Sequence, residues 1–247
     1  MGWPADVPAS AHVFVASAAE LAGTVEVGGE EGHHLARVLR LRPGEIVTVA
    51  DGAGRWRPYR VGNVTAPGGG ALVRLDPAGG AEQEPAASFR LAVAFALTKG
   101  DKPELVVQKL TELGVDRIVP VLAERSVSRP DPGRAATALE RWRRIAREAA
   151  RQSRRATLPA VEALGPLAAL TGHPGLVVAE RGGRSAGALE SPPADEILAV
   201  VGPEGGLGAA EVEALKPWAR LDLGPHILRA ETAALAAATL LVARRSG

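Results

Sequence analysis

The sequence predicts an α/β protein in two parts, a small β-rich module over residues 1–85 and a larger α/β domain over residues 86–247. Three observations carry this expectation. Short alternating apolar segments, punctuated by Gly, Pro and Asp-Gly, fill the first third of the chain. Continuous apolar runs alternating with helix-period segments fill the rest, an order that builds a mostly parallel sheet. Between them, Pro77 to Ser88 is rich in Pro, Gly, Ala and acidic residues and has no periodicity, so it reads as a linker.

In the first module the predicted strands are His12 to Ala16, Thr24 to Val27, Ile46 to Ala50 and Ala71 to Leu75. His33 to Glu45 lies among them as a helical segment whose apolar positions, Leu35, Val38 and Leu39, keep helical spacing until Pro43-Gly44 stops it. That places Arg37 and Arg40 outward together, either as a solvated face or as a phosphate contact. His33 and His34 are adjacent and have no Cys or third His nearby, so no metal site is expected.

In the second part, Phe89 to Leu97 is a buried strand and Asp101 to Leu113 a helix, with Asp101 as N-cap and Gly114 as its stop. Ile118 to Leu122 is the next strand, completing a βαβ unit. Arg134 to Arg155 carries eight arginines against Glu140 and Glu148. At about 100° per residue, Leu139, Trp142, Ile145, Ala146, Ala149 and Ala150 fall on one side and the arginines from 141 onward on the other. Acids that would balance such a stripe by i,i+4 pairing are scarce, so phosphate contact is favoured over a merely solvated face. Strands are expected again at Leu176 to Glu180, Ile197 to Val200 and Ala219 to Leu223.

The last two of these strands each run into a loop and then a helix. The first loop is Gly202 to Gly208, GPEGGLG; the second lies within Leu223 to Ala236, LGPHILRAETAALA. Strand-to-helix corners of an α/β sheet lie at the carboxyl ends of the strands, where ligands bind. The glycine loop lacks Lys-Ser/Thr and does not fit G-x-G-x-x-G, which argues against a phosphate-cradling or dinucleotide loop. Its glycines still permit positive φ and close approach of a ligand to the backbone.

Composition limits the remaining choices. A net charge of +1 over 247 residues advertises no polyanionic partner globally, so local charge must decide. Cysteine is absent, which removes disulfides and thiolate metal sites and suits a reducing compartment. The apolar run Thr232 to Ala243 is too short for a membrane span of about 20 residues, and MGWPADVPAS resembles no secretory leader. A cytoplasmic location without membrane or metal partners is expected.

Four blocks in the same order, GDKPELVVQKLTELGVDRIVPVLAERS at Gly100 to Ser126, RWRRIAREAARQSRR at Arg141 to Arg155, and the two corners, closely resemble the RsmE family. These are SPOUT-class, S-adenosylmethionine-dependent methyltransferases acting on N3 of a uridine in 16S ribosomal RNA. The resemblance covers nearly the whole chain. It implies a PUA-like RNA-binding domain at residues 1–85 and, after it, a SPOUT α/β-knot in which the carboxyl-terminal segment forms a deep trefoil knot. It also implies a homodimer acting on the small ribosomal subunit.

On that resemblance, S-adenosylmethionine is held by Gly202, Pro203, Glu204, Gly205 and Gly206 on one wall. Leu223, Gly224, Ile227, Leu228, Thr232 and Ala233 form the other, with Leu97 and Thr98 as a third edge. Arg229 suits the negative charge that develops on the uracil carbonyls, and Glu231 or Glu204 the proton at N3; the competing reading is an Arg229–Glu231 ion pair that only shapes the loop. RNA contacts are expected from Arg37, Arg40, Arg144, Arg147, Arg151 and Arg155. His226 stands where the family usually has Arg, and Ala209 where a Ser or Thr often caps the helix, a loss of about 1 kcal/mol. The alternative function is an RNA-binding ribosome-assembly factor with an inactive cofactor pocket.

Overall fold

The structure, a computed structural model, describes residues 2–65 and 70–246. It divides into two compact units, residues Met1–Ala86 with Ala150–Leu158, and Ala87–Ala149 with Pro159–Gly247. The first unit thus includes a segment that the sequence reading assigned to the second domain.

The first unit is built on β1 (Ala11–Phe14), β2 (Val25–Val27), β3 (Ile46–Ala50), β4 (Arg55–Thr65), β5 (Leu72–Pro77) and β6 (Glu82–Gln83), in the order β1-β3-β4-β5-β2 with β6 beside β4. Among these strands of the described residues only β1 and β3 pair in parallel. The longest strand, β4, escaped the sequence reading because Pro58 and Gly62 read as breakers and arginines interrupt its alternation. Its inward residues Trp56, Tyr59 and Val61 nevertheless enter the core, and the Tyr59 hydroxyl lies 3.0 Å from the Leu21 and Gly23 carbonyls. The Pro77 to Ser88 linker is also more ordered than expected: β6 pairs with Arg55 and Trp56, and the Glu84 carboxylate accepts hydrogen bonds from the Ala156 amide and the Thr157 hydroxyl.

The helical segment is a short α1 (Gly29–His33) followed by one wide π turn over His34–Val38, closed by the Leu39 amide reaching back to the His34 carbonyl. The wider turn rotates the apolar face. Leu35 is buried as expected, whereas Val38 and Leu39 are exposed beside Arg37 and Arg40.

A buried polar cluster closes this unit. His12, fully inside, accepts at Nδ1 from the Thr48 hydroxyl (2.7 Å) and donates from Nε2 to the Arg155 carbonyl (2.9 Å). A carbonyl can only accept, which fixes the neutral tautomer. Burial pushes the His12 pKa down to about 4; the Arg155 carbonyl opposes this, and the charges of Arg154 and Arg151 add to it.

The second unit carries β7 (Arg90–Ala96), α2 (Lys102–Glu112), β8 (Arg117–Leu122), most of α3 (Pro132–Gln152), β9 (Ala160–Val161), β10 (Gly165–Pro166), β11 (Leu176–Arg184), β12 (Glu196–Val201), α4 (Ala209–Leu215), β13 (Ala219–Leu221) and α5 (Ala230–Ser246). The sheet runs β10-β8-β7-β12-β11-β13, parallel throughout, with β9 beside β8. Its central strands are apolar on both faces because both are covered. From β7, Leu91, Val93 and Phe95 pack with Val106, Leu110, Trp142, Ala237 and Leu241 of α2, α3 and α5; Ala92, Ala94 and Ala96 pack on the other face with Val212 and Leu215 of α4.

Asp101 precedes α2 but its side chain makes no cap hydrogen bond; Pro103 within the first turn presets the helical φ instead. At the far end of the chain, Arg245 anchors α5 through Asp116 (2.6 Å) and the Gly114 carbonyl (2.8 Å). At the amino ends of the strands, Arg117 is held by Glu196 and Glu162. Burial opposes the charged form of Glu196, but the Arg117 guanidinium and His173 outweigh it and hold the carboxyl below its usual range. Among the described residues no helix is long and apolar enough to cross a membrane, and no group of three or more His, Cys, Asp or Glu could hold a metal ion.

Candidate active site

The two strand-to-helix corners meet at the carboxyl ends of β11, β12 and β13, around a cleft of about 310 Å³. One wall is the loop after β12. Gly202 is packed so closely that an added Cβ would come within 3.0 Å of Leu207, and Gly206 sits at φ +69° with its amide closing a turn on the Pro203 carbonyl. The loop is fastened from outside: Arg125 donates to the Gly205 carbonyl (2.8 Å). Glu211 accepts from the Gly208 amide (2.9 Å) and, through its other oxygen, from the Glu124 amide (2.7 Å). The N-cap of α4 is Gly208, with Ala209 the first helical residue, and Glu211 at the third helical position closes one half of a capping box on the Gly208 amide; no side chain among the described residues caps the amides of the first turn.

The second wall is the loop after β13. Asp222 accepts from the Gly224 amide (2.9 Å), and Gly224 adopts φ +117°. Beyond it the chain lies open: Ile227 is 89% exposed, and Pro225, His226 and Arg229 are exposed with it. Val178 and Val201 form the apolar floor, while Glu180, Glu204 and Asp222 set acid groups around the cleft, with Arg181 and His226 as the basic ones.

Of the residues the sequence reading assigned to the cofactor, Gly202, Pro203, Glu204 and Gly206 line the first wall, and Leu223, Gly224, Ile227, Leu228 and Ala233 the second. Leu97, Thr98, Gly205 and Thr232 are not among the lining residues. Leu97 and Thr98 are buried just past the end of β7, and the Thr98 hydroxyl has no hydrogen-bond partner among the described residues. Arg229 and Glu231 also lie outside the lining. The Arg229–Glu231 ion pair of the competing reading is not formed: Glu231 Oε1 lies 3.3 Å from Lys102 Nζ, which also stands 3.7 Å from Glu204 Oε1. Lys102 was missed, although it sits in the block GDKPEL at Gly100 to Leu105, because nothing in a local pattern says that a lysine opening one helix meets carboxylates more than a hundred residues away.

The arginine helix behaves differently from its sequence reading. Trp142, Ala146, Ala149 and Ala150 are buried as predicted, and Arg143 and Arg144 are exposed. Balancing acids come from other elements, however: Arg141 pairs with Glu104 (2.8 Å) and Arg151 with Glu31 (2.6 Å), while Arg154 donates to the Val7 carbonyl (2.9 Å). Arg151 is mostly buried in its pair and thus committed to the fold. Arg37 and Arg40 are exposed, and Arg147 and Arg155 partly buried.

Residues 85–242 match the family model for an RNA methyltransferase domain, and residues 27–66 that for an RNA methyltransferase PUA domain. The ribosomal RNA small subunit methyltransferase E of Mycobacterium tuberculosis is 35% identical over 85% of this chain and 83% of its own. That of Bacillus subtilis is 34% identical over 87% and 88%. Among solved structures, the ribosomal RNA small subunit methyltransferase E of Neisseria gonorrhoeae, bound to S-adenosyl methionine, superposes with a TM-score of 0.77 at 28% identity, covering 92% of this chain and 94% of that one. With a parallel sheet, a cleft at its carboxyl ends and relatives matched along most of their length, the chain belongs to the RNA methyltransferase family whose curated members carry the name ribosomal RNA small subunit methyltransferase E.

Proposed function

We propose that this chain transfers a methyl group from S-adenosylmethionine to N3 of a uridine in the 16S RNA of the small ribosomal subunit. The observation that carries the proposal is the cleft between the two corners. Its volume lies at the lower end of the range of small-molecule sites, ~300–1,000 Å³. The glycine backbone at 202 and 206 admits a flat base, and Val201, Leu223, Ile227 and Leu228 suit adenine and the methionine carbons. Glu180, Glu204 and Asp222 offer negative charge to a cationic ligand. Gly202, Pro203, Glu204 and Gly206 hold the donor from one side, and Gly224, Ile227, Leu228 and Ala233 from the other.

When bound, S-adenosylmethionine supplies the methyl group, its C–S bond breaking with the pair left on sulfur as the N3 pair forms the new N–C bond. The imide proton has to leave N3, and Glu231 or Glu204 receives it. Charge then spreads to the flanking carbonyl oxygens, where the exposed guanidinium of Arg229, which forms no ion pair among the described residues, donates paired hydrogen bonds.

The first unit and Arg144 bind the RNA backbone in this reading, with Arg37 and Arg40 beside the exposed Val38 and Leu39, and Arg147 and Arg155 adding positive potential. Replacing Arg144 by Ala lowers the salt dependence of RNA binding by about one counterion. The knotted threading of the segment after β12, and a homodimer through the face of α5 that exposes Leu240, complete the proposal; light scattering during gel filtration checks the dimer.

The decisive experiment is methyl transfer from labelled S-adenosylmethionine to small subunits lacking their native modifications, with the product nucleoside identified by mass spectrometry. N3-methyluridine is the expected product. Cofactor binding without any methylated nucleoside overturns the substrate assignment, and RNA binding without cofactor binding favours an assembly factor.

A further inference from the structure

We infer that Lys102 is a positioning residue for proton removal, and that it divides the two carboxylates by role: Glu231 takes the N3 proton on Oε2, and Glu204 tethers Lys102 to the cofactor loop. This inference rests on the methyl-transfer reading above. Three elements from distant parts of the sequence converge on one ammonium: α2 supplies Lys102, the loop after β12 supplies Glu204 and the first turn of α5 supplies Glu231.

The two carboxylates differ in surroundings. The Glu231 side chain is 13% exposed, against 44% for Glu204. Lys102 Nζ lies 3.3 Å from Glu231 Oε1, while Glu231 Oε2 is buried and receives no hydrogen bond from any described residue. An ammonium on one oxygen fixes the plane of a carboxylate and leaves the lone pairs of the other oxygen aimed in one direction. A buried acceptor without a donor is costly, and an imide N–H is a donor of the right kind. Lys102 keeps its own proton throughout. The N3 proton passes to Glu231 Oε2, the N–H electron pair remains on N3 for the new bond to carbon, and the proton leaves to water after product departs.

The test compares Lys102→Met and Lys102→Arg with the unaltered protein in four measurements: kcat and KM for RNA, S-adenosylmethionine affinity by calorimetry, thermal melting, and the carboxylate ¹³C resonance of Glu231, assigned by its loss in Glu231→Gln. Lys102→Met is expected to lower kcat about 100-fold with RNA KM, cofactor affinity and melting within threefold or a few degrees of the original. The Glu231 resonance moves, and Lys102→Arg recovers most of the rate. A parallel loss of cofactor affinity or of melting temperature, an unmoved resonance, or an unchanged kcat overturns the positioning role. The resonance and calorimetry do not depend on turnover. If the unaltered protein makes no N3-methyluridine, the functional reading fails by itself, while a shifted Glu231 resonance still supports the Lys102 tether.

Discussion

His12 in the first unit and Glu231 in the second are both largely buried ionisable groups, and they are treated in opposite ways. At His12 each ring nitrogen has a partner, the Thr48 hydroxyl on one side and the Arg155 carbonyl on the other. At Glu231 one oxygen is held by Lys102 and the other has no hydrogen bond from any described residue. Satisfied polar burial specifies a fold, whereas an unsatisfied buried acceptor is a cost that a folded protein retains where a ligand or substrate supplies the missing donor. The same contrast separates the two cleft walls: the glycine loop is fastened by Arg125 and Glu211, and the loop carrying Ile227 is open.

If the contrast holds, Glu231→Gln lowers formation of N3-methyluridine by about 1,000-fold, measured by mass spectrometry, while thermal melting is unchanged or higher. A fall in melting temperature with retained activity would make Glu231 a structural residue like His12. The next effect belongs to His12 and is one of stability. Its folded pKa of about 4 lies below the ordinary value of 6.5, so the unfolded chain binds more protons between these limits. The stability contributed by neutral His12 is therefore fully present above pH 6.5 and is lost as pH falls through 4, a change of about 3 kcal/mol. Urea unfolding across that window checks it, and His12→Phe flattens the profile.

Thr48→Val removes the donor at His12 Nδ1 and destabilises by about 2 kcal/mol in the same urea measurement, with little change in cofactor affinity. On the open wall, Ile227→Ala weakens S-adenosylmethionine binding about 10-fold by calorimetry, the loss of one apolar side chain's burial on binding, and leaves melting unchanged. The smallest expected change is at the fastened wall: Arg125→Ala removes a hydrogen bond to the Gly205 carbonyl, costing about 1 kcal/mol of cofactor affinity, a factor of roughly 5. If Arg125→Ala outweighs Ile227→Ala, the open loop contributes less to the site than the closed one.

Much of the second unit was legible locally. Strands such as Arg90–Ala96 and Glu196–Val201 are continuous apolar runs because both faces of the sheet are covered, and the corners follow them because a parallel strand must end in a loop leading to a helix. The apolar face of the arginine helix was also determined by spacing alone, as the burial of Trp142, Ala146 and Ala150 shows. Less was legible in the first unit, where Pro58 and Gly62 disguised β4 and a π turn carried Val38 and Leu39 off the face that helical spacing assigned them.

The sequence by itself thus determined the layered α/β class, the two glycine-bearing corners and the family, since periodicity, turn residues and motif order are properties of neighbouring positions. Only the tertiary structure decided the pairings. It gave Arg151 to Glu31 and Arg141 to Glu104, set Lys102 rather than Arg229 beside Glu231, and left Glu231 Oε2 without a hydrogen bond among the described residues. Charge pairing acts over a few ångströms of space, and folding sets those distances between residues that no local pattern relates.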